Sequence, residues 1–318
     1  MKCWTPWGLI RWTCEFIVQR WCWRSPPEWL MVNCKWLVVS LLVGMAVACT
    51  GPVATAVPPT PLLTQTLALQ PTPTLQVIPS PSPGHRVTLT PPPDSGWERL
   101  QPGLERRTIR LLNENGRQTD QLYILRIDSI FYNFGIAYSP GQPKSLAAWQ
   151  EETGAMIVVN GGFFTEEFLA TGLIVVDGQA SGSSYVGFGG MVTMRQGGVD
   201  VRSLVERPYT PTETFDYALQ AFPMLVLNGA PAYQNDDFDA ARRTVMGVDE
   251  DGRLLLILST WGSFTLTELS AYLAHADFGL VNALNLDGGT STGLILAGPS
   301  ESIPAFVAVP SVITIFPK

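Results

Sequence analysis

Two short blocks carry residue types that can do chemistry on an uncovered backbone. Asn160-Gly161-Gly162-Phe163-Phe164 follows the apolar run Ala155 to Val159, and Asp287-Gly288-Gly289-Thr290-Ser291 follows Val281 to Leu286. A strand that ends in an amide or acid and two glycines leaves main chain bare beside a polar side chain, which suits a small polar ligand. N–H groups at such a rim can meet an anion, and the Asp287 carboxylate can take a proton or face a developing positive charge. Asn-Gly and Asp-Gly are also ordinary hairpin turns. The second glycine and the hydroxyl pair Thr290-Ser291 exceed what a two-residue turn needs, so a site is the reading adopted, with both blocks on one shared cleft. Arg243, beside Arg242 at the head of an apolar run, suits bidentate recognition of a phosphate or carboxylate, or is simply a solvated charge at a strand start. Phe163, Phe164, Phe168 and Tyr185 supply an aromatic wall for a sugar or anchor their loops to the core. Glu166 and Glu167 offer a further carboxylate but read first as a solvent-facing pair.

What is missing narrows the chemistry. All five cysteines (Cys3, Cys14, Cys22, Cys34, Cys49) lie at or before position 49, so the later region has no internal disulfide, thiolate metal site or cysteine nucleophile. Of the two histidines, His85 falls in a linker and His275 in an expected helix, where it reads as a surface or last-turn residue. A two-histidine metal site or a Ser-His-Asp triad is therefore not expected, and acid–base work must rest on carboxylates. No cofactor is expected, although Asp287 with Asp249 or Glu250 would form an oxygen-ligand set suited to calcium or magnesium. The net charge is -7, and residues before Cys49 contain five Lys/Arg against two acids, so the remainder is more acidic still. Without a basic stripe it is not expected to bind nucleic acid.

The elements that must position these groups follow from period and turn signals. Thr108 to Leu112, Gln121 to Ile127 and Phe131 to Tyr138 read as strands, and Ser145 to Glu152 as a helix. Ala155 to Val159 is short and wholly apolar, as for a strand covered on both faces. Leu173 to Val176 runs into Asp177-Gly178, a hairpin signal, and Arg243 to Val248 pairs with Arg253 to Leu258 through a turn placed at Asp251-Gly252. Thr265 to Glu268 resembles a capping box ahead of Leu266, Leu269 and Leu273, with Gly279 as the stop. Val307 to Phe316 is a last strand whose Pro310 assigns it to an edge or a bulge. The fold class is α+β, with a mixed, largely antiparallel β-sheet and a few packing helices. Helix, buried strand, (Asn/Asp)-Gly-Gly and Thr-Gly-Leu-Ile recur in that order, with Thr171 to Ile174 and Thr292 to Ile295 closing the two series. Four matched elements suggest an internal duplication, with independent helix–strand–turn units as the alternative.

Three regions result: a signal region at 1–49, a linker at 50–94 and a globular domain at 95–318. From Met31, which we read as the true start, Lys35, the apolar run Trp36 to Val47 and the small residues after it form a secretory signal. Ala46-Val47-Ala48-Cys49 resembles a bacterial lipobox, which implies lipidation at Cys49 and a membrane partner. The expected location is the extracellular face of the cell membrane, lipid-anchored, or else secretion. Pro58-Pro59, Pro79-Ser80-Pro81-Ser82-Pro83 and Pro91-Pro92-Pro93 mark a tract that cannot build a core and acts as a semi-stiff spacer.

Val158 to Phe164, Arg243-Thr244-Val245-Met246-Gly247-Val248 and Asn282 to Ser291 together resemble the signature blocks of the phosphodiester glycosidase family, the N-acetylglucosamine-1-phosphodiester alpha-N-acetylglucosaminidase-like domains. The resemblance spans Leu111 to Phe316 and includes Phe222-Pro223-Met224-Leu225 to Asn228-Gly229. It implies hydrolysis of a glycan phosphodiester at the anomeric carbon–oxygen bond, and in bacteria a role in exopolysaccharide or envelope glycan metabolism. The residues it implicates in catalysis are Asp287, Asn160 and Arg243, with Gly161, Gly162, Phe163, Thr244, Gly288, Gly289, Thr290 and Ser291 around the substrate. Thr290 stands where that family usually has a third glycine, so the backbone there approaches a ligand less closely. The competing expectation is a tethered glycan-binding lipoprotein that hydrolyses nothing.

Overall fold

The computed structural model describes residues 92–235, 238–298 and 300–318. The signal region, Cys49, His85 and nearly all of the Pro/Thr-rich tract lie outside the described residues. In chain order come β1 (Glu98–Gln101), β2 (Leu104–Leu112), β3 (Gln118–Ile127), β4 (Tyr132–Tyr138), α1 (Leu146–Thr153) and β5 (Ile157–Asn160). They are followed by β6 (Ile174–Val176), β7 (Gln179–Ser181), β8 (Gly190–Arg195), β9 (Gly198–Ser203), β10 (Tyr217–Ala221), β11 (Met224–Leu227) and β12 (Ala230–Pro231). The last third holds β13 (Arg243–Asp249), β14 (Leu254–Ser259), α2 (Leu266–His275), β15 (Leu280–Asn285), β16 (Leu294–Leu296), β17 (Glu301–Ile303) and β18 (Ser311–Pro317).

The expected α+β class holds, but the single mixed sheet does not. The strands form one eight-stranded sheet, β1-β2-β3-β14-β13-β15-β11-β12, and two five-stranded sheets, β7-β6-β10-β8-β9 and β17-β16-β5-β18-β4. Every strand pairing among the described residues is antiparallel. One apolar cluster draws residues from all three sheets, including Leu256 and Leu284 of the first, Val192 and Leu219 of the second, and Val159 and Ile313 of the third. The outer face of the large sheet buries Leu269 and Leu273 of α2, and the outer face of the β5 sheet buries Leu146 and Trp149 of α1. β5, read as a strand covered on both faces, is so covered, and β14 and β15 are as well, which is why period-2 alternation is weak in all three.

Local signals explain the elements that carry the site. Thr265 caps α2 with its side chain on the Glu268 N–H while Glu268 reaches back, a complete capping box. The helix ends at His275 in an extended Ala276, short of the left-handed Gly279. Asp177 and Gly178 both take positive φ between β6 and β7, the two-residue turn their sequence signals. The β13–β14 connection is instead wider than Asp251-Gly252: the Asp249 and Arg253 main chains bond at 3.1 Å and Gly252 supplies the single left-handed residue. β18 is no edge strand, since it pairs with both β4 and β5; Pro310 stands just before it and removes no ladder donor. The two Thr-Gly-Leu-Ile segments enter β6 of the second sheet and β16 of the third, so the repeated order does not place them equivalently.

Candidate active site

β5 and β15, the strands ahead of the two glycine pairs, end against each other. The Asn160 side-chain amide donates to the Asp287 carbonyl at 2.7 Å, and the Asp287 N–H donates to the Gly161 carbonyl at 3.3 Å. Asn160 is fully buried, and its Oδ1 accepts from the Thr244 hydroxyl at 2.9 Å and the Gly293 N–H at 3.2 Å. Both ends of this amide are thus engaged by the protein. Asn160, expected with the catalytic residues, cross-links the first and third sheets and holds the Asp287 main chain in place. Thr244 is likewise wholly buried, also 3.2 Å from the Thr292 hydroxyl, and lies behind the site.

Gly161 and Gly162, expected around the substrate, stand outside the cavity lining and are closely packed. A Cβ on Gly161 would fall 2.3 Å from Ser311 Oγ of the neighbouring β18, and one on Gly162 would fall 3.2 Å from the Gln220 carbonyl of β10, so Gly161 lets two strands of one sheet close up and Gly162 lets a second sheet approach. The Gly161 N–H already donates to the Ser311 carbonyl at 3.0 Å. Gly288 and Gly289 have their own reasons. A Cβ on Gly288 would meet the Arg242 carbonyl at 2.8 Å, and Gly289 has φ 59° with its N–H on that same carbonyl at 2.7 Å.

In front of this seam lies a cavity of about 490 Å³ whose polar lining includes Arg243, Asn285, Asp287, Thr290 and Ser291, with Gly288 and Gly289 beside them. The register brings the charged pair together. Val245 pairs with Asn285 and the Leu286 N–H donates to the Thr244 carbonyl, so one further step sets Arg243 opposite Asp287 across β13 and β15. Alternation along a strand puts Arg243 and Val245 on one face and Asn285 on the matching face of its neighbour, with Asp287 two residues on. Arg243 also donates to the Asp239 and Phe264 carbonyls, which fixes the guanidinium at the rim. Phe163 and Phe222 stack at 4.5 Å, and with Phe164 they form the aromatic wall; Pro223, Tyr233 and Leu266 complete the lining. Phe168 backs Phe164 and Tyr185 meets Phe222 edge-on, so these two support the wall from outside the cavity lining.

Asp287 is half-buried, and that burial pushes its carboxyl above the usual range; bonds from the Ser291 hydroxyl and the Gly288 N–H pull the other way. Among the described residues it is the single carboxylate of the lining. Glu166 and Glu167 are exposed and outside the lining. Asp249 sits six residues along β13 from Arg243, about 20 Å away, and its carboxylate is bonded to Arg253 at 2.8 Å. The structure therefore does not bring Asp249 to Asp287. Neighbouring Glu250 begins the turn beyond it, and no group of three or more His, Cys, Asp or Glu clusters to hold a metal among the described residues. His275 is exposed at the last turn of α2, its Nδ1 2.7 Å from the Ala271 carbonyl. A roomier cavity of about 630 Å³ lies between β4, β18 and β10, flanked by Asp177 and Asp216, and contains none of the predicted site residues. The smaller cavity is the candidate because the cation, the carboxylate and the aromatic wall converge there.

The sequence reading missed Asn285 and Leu266. Asn285 lies two residues before Asp287, and strand alternation alone would have placed it on the same face. Leu266 carries no such signal, since its place depends on where the capped end of α2 docks.

Three antiparallel sheets around one core carry an Arg–Asp pair that faces an aromatic-walled pocket. The sequence profile of the phosphodiester glycosidase family matches residues 153–316, just over half of the chain, and the chain belongs to that family. Among solved structures it is similar to the zebrafish N-acetylglucosamine-1-phosphodiester alpha-N-acetylglucosaminidase catalytic domain auto-inhibited by its pro-peptide. The identity is 19%, over 69% of this chain and 85% of that one, with a TM-score of 0.56. It is also similar to a hypothetical protein from Synechocystis, at 16% identity over 71% of this chain and 64% of that one, with a TM-score of 0.52. At such identities the likeness is one of fold. No curated protein matches the chain.

Proposed function

We propose that the protein hydrolyses a sugar 1-phosphodiester at the anomeric carbon–oxygen bond, releasing the sugar and a phosphate monoester. The observation that carries this reading is the placement of Arg243 opposite Asp287 at the mouth of one aromatic-walled cavity. Family membership supports phosphodiester glycosidase chemistry in general. Arg243 supplies a planar cation to the phosphate. Asp287 faces the anomeric carbon and takes the proton of the attacking water. As water oxygen bonds to the anomeric carbon, the bond to the phosphate oxygen breaks and its electron pair leaves with the phosphate. A phosphate departs without strong protonation, so a site with one carboxylate suffices where an ordinary glycosidase uses two. The wall of Phe163, Phe164 and Phe222 offers apolar faces to the sugar ring.

The zebrafish enzyme's name specifies an N-acetylglucosamine 1-phosphodiester, which makes such a diester the first substrate to test. We place the activity in exopolysaccharide or envelope glycan metabolism, with the domain tethered outside the cell through Cys49. No metal is required by this scheme. Hydrolysis in ¹⁸O-labelled water should put the label on the sugar and none on the phosphate, and Asp287→Asn should lower turnover by about 10²- to 10⁴-fold with folding intact. Label on the phosphate, or near wild-type turnover in Asp287→Asn, would overturn the mechanism. Binding without product release would instead make the protein a glycan-binding lipoprotein.

A further inference from the structure

We infer that Asn285 is a specificity-determining residue whose side-chain oxygen accepts a hydrogen bond from an O–H or N–H on the sugar ring of the substrate. The inference rests on the proposed function for the class of ligand and adds to it how the ring is oriented and which sugars are excluded. Asn285 is 2% exposed, and among the described residues its Oδ1 is the one buried, unpartnered side-chain polar atom that belongs to a residue lining the cavity. The amide cannot turn to relieve this. Its Nδ2 donates to the Phe222 carbonyl at 3.0 Å and its main-chain N–H donates to the Pro223 carbonyl at 3.0 Å, so the oxygen is the atom left over. A buried carbonyl oxygen without a donor is costly, and a ligand donor supplies what the protein does not.

The chemistry of the donor follows from the neighbours. A phosphodiester carries no proton at neutral pH and would be repelled by a carbonyl oxygen, so the phosphate belongs beside Arg243 and the protonated groups of the sugar belong beside Asn285. Asn285 precedes Asp287 by one alternation of β15, which puts an acceptor for the ring about 7 Å along the strand from the carboxylate that faces the anomeric centre. Phe222 joins the two functions: its carbonyl fixes the Asn285 amide while its ring stacks with Phe163 in the wall. A site built to hydrogen-bond a substrate group discriminates strongly against the analogue that lacks it, because its own buried atom is then left unpaired.

The experiment uses methyl phosphodiesters of glucose, galactose, glucosamine and N-acetylglucosamine 1-phosphates, followed by the monodeoxy and deacetamido analogues of whichever the full chain cleaves fastest. One analogue should lose about 10- to 100-fold in kcat/KM with the wild type, as for one buried group left unpaired, and lose nothing further with Asn285→Ala, while the others lose equally in both. Losses that add independently at every ring position would overturn the inference. Asn285→Ser provides a second variant if Asn285→Ala does not fold, and thermal melts establish which is usable. Should the wild type bind the diesters without cleaving them, the hydrolytic reading fails and the same comparison is made on dissociation constants measured by NMR titration. Absence of both cleavage and binding across the panel would overturn both readings.

Discussion

At the scale of single residues, Asp287 is held between burial, which favours the neutral carboxyl, and the Ser291 and Gly288 donors, which favour the carboxylate. As a base it must be ionised, so kcat/KM should fall as pH drops through a value above the ordinary carboxylate range of about 4. Ser291→Ala deletes a bond made to the charged form and should raise that acid limb further, as a pH–rate profile would show. A limb that stays in place or moves to lower pH would separate Ser291 from the titration. The sign for stability is opposite to that of a salt-bridged acid. A folded-state value above the unfolded one means stability that is full below the unfolded value and lost as pH rises through the folded value. Asp287→Asn removes the buried charge, so the inactive variant should melt at or above the wild-type temperature at neutral pH.

At the scale of elements, the glycine pair after β15 is held by β13 more than by any ligand. Gly288→Ala would drive a Cβ to 2.8 Å from the Arg242 carbonyl, and the backbone cannot retreat without moving Asp287. Gly289→Ala meets nothing within 4 Å but keeps a left-handed φ of 59°. The first should cost about 1–3 kcal/mol as overpacking, with loss of turnover, and the second about 1 kcal/mol as backbone strain. Equilibrium unfolding of the two variants would reveal the reverse order if the pair served mainly to admit a ligand. Local grammar made the turn at Asp177-Gly178, the capping box at Thr265 and the strands flanking Arg243 and Asp287 readable, because each is fixed by contacts a few residues apart. Pro310 misled for the same reason. A proline just ahead of an interior strand looks identical, in sequence, to one inside an edge strand, and only the pairing of β18 with β4 and β5 distinguishes them. The division into three sheets was equally invisible, since nothing local records that β13 pairs with β15 while β5 pairs with β16 and β18.

At the scale of the whole molecule, the two glycine-bearing strand ends could be noticed in the sequence, but which of them faces ligand could not, because both look alike until the sheets are assembled. Assembly buries Asn160 at the seam and leaves Asp287 at the cavity. The seam is narrow: Thr244 of the large sheet, Asn160 of β5, and Gly293 and Asp287 of the segments beyond β15 are joined through one amide. The shared apolar cluster predicts a single cooperative unfolding transition. Asn160→Ala would strand the Gly293 N–H and the Asp287 carbonyl, while the Thr244 hydroxyl keeps Thr292, at about 1–3 kcal/mol for each group left unpaired. The melting temperature should then fall by about 2–4 °C per kcal/mol for a domain of this size. Because the amide acts through Asp287, kcat should drop while KM for a diester changes little, and fluorescence and far-ultraviolet circular dichroism should still report one coincident transition. A raised KM with unchanged stability would instead put Asn160 in contact with substrate, and two separated transitions would show that the sheets fold apart and that the seam does not hold the site together.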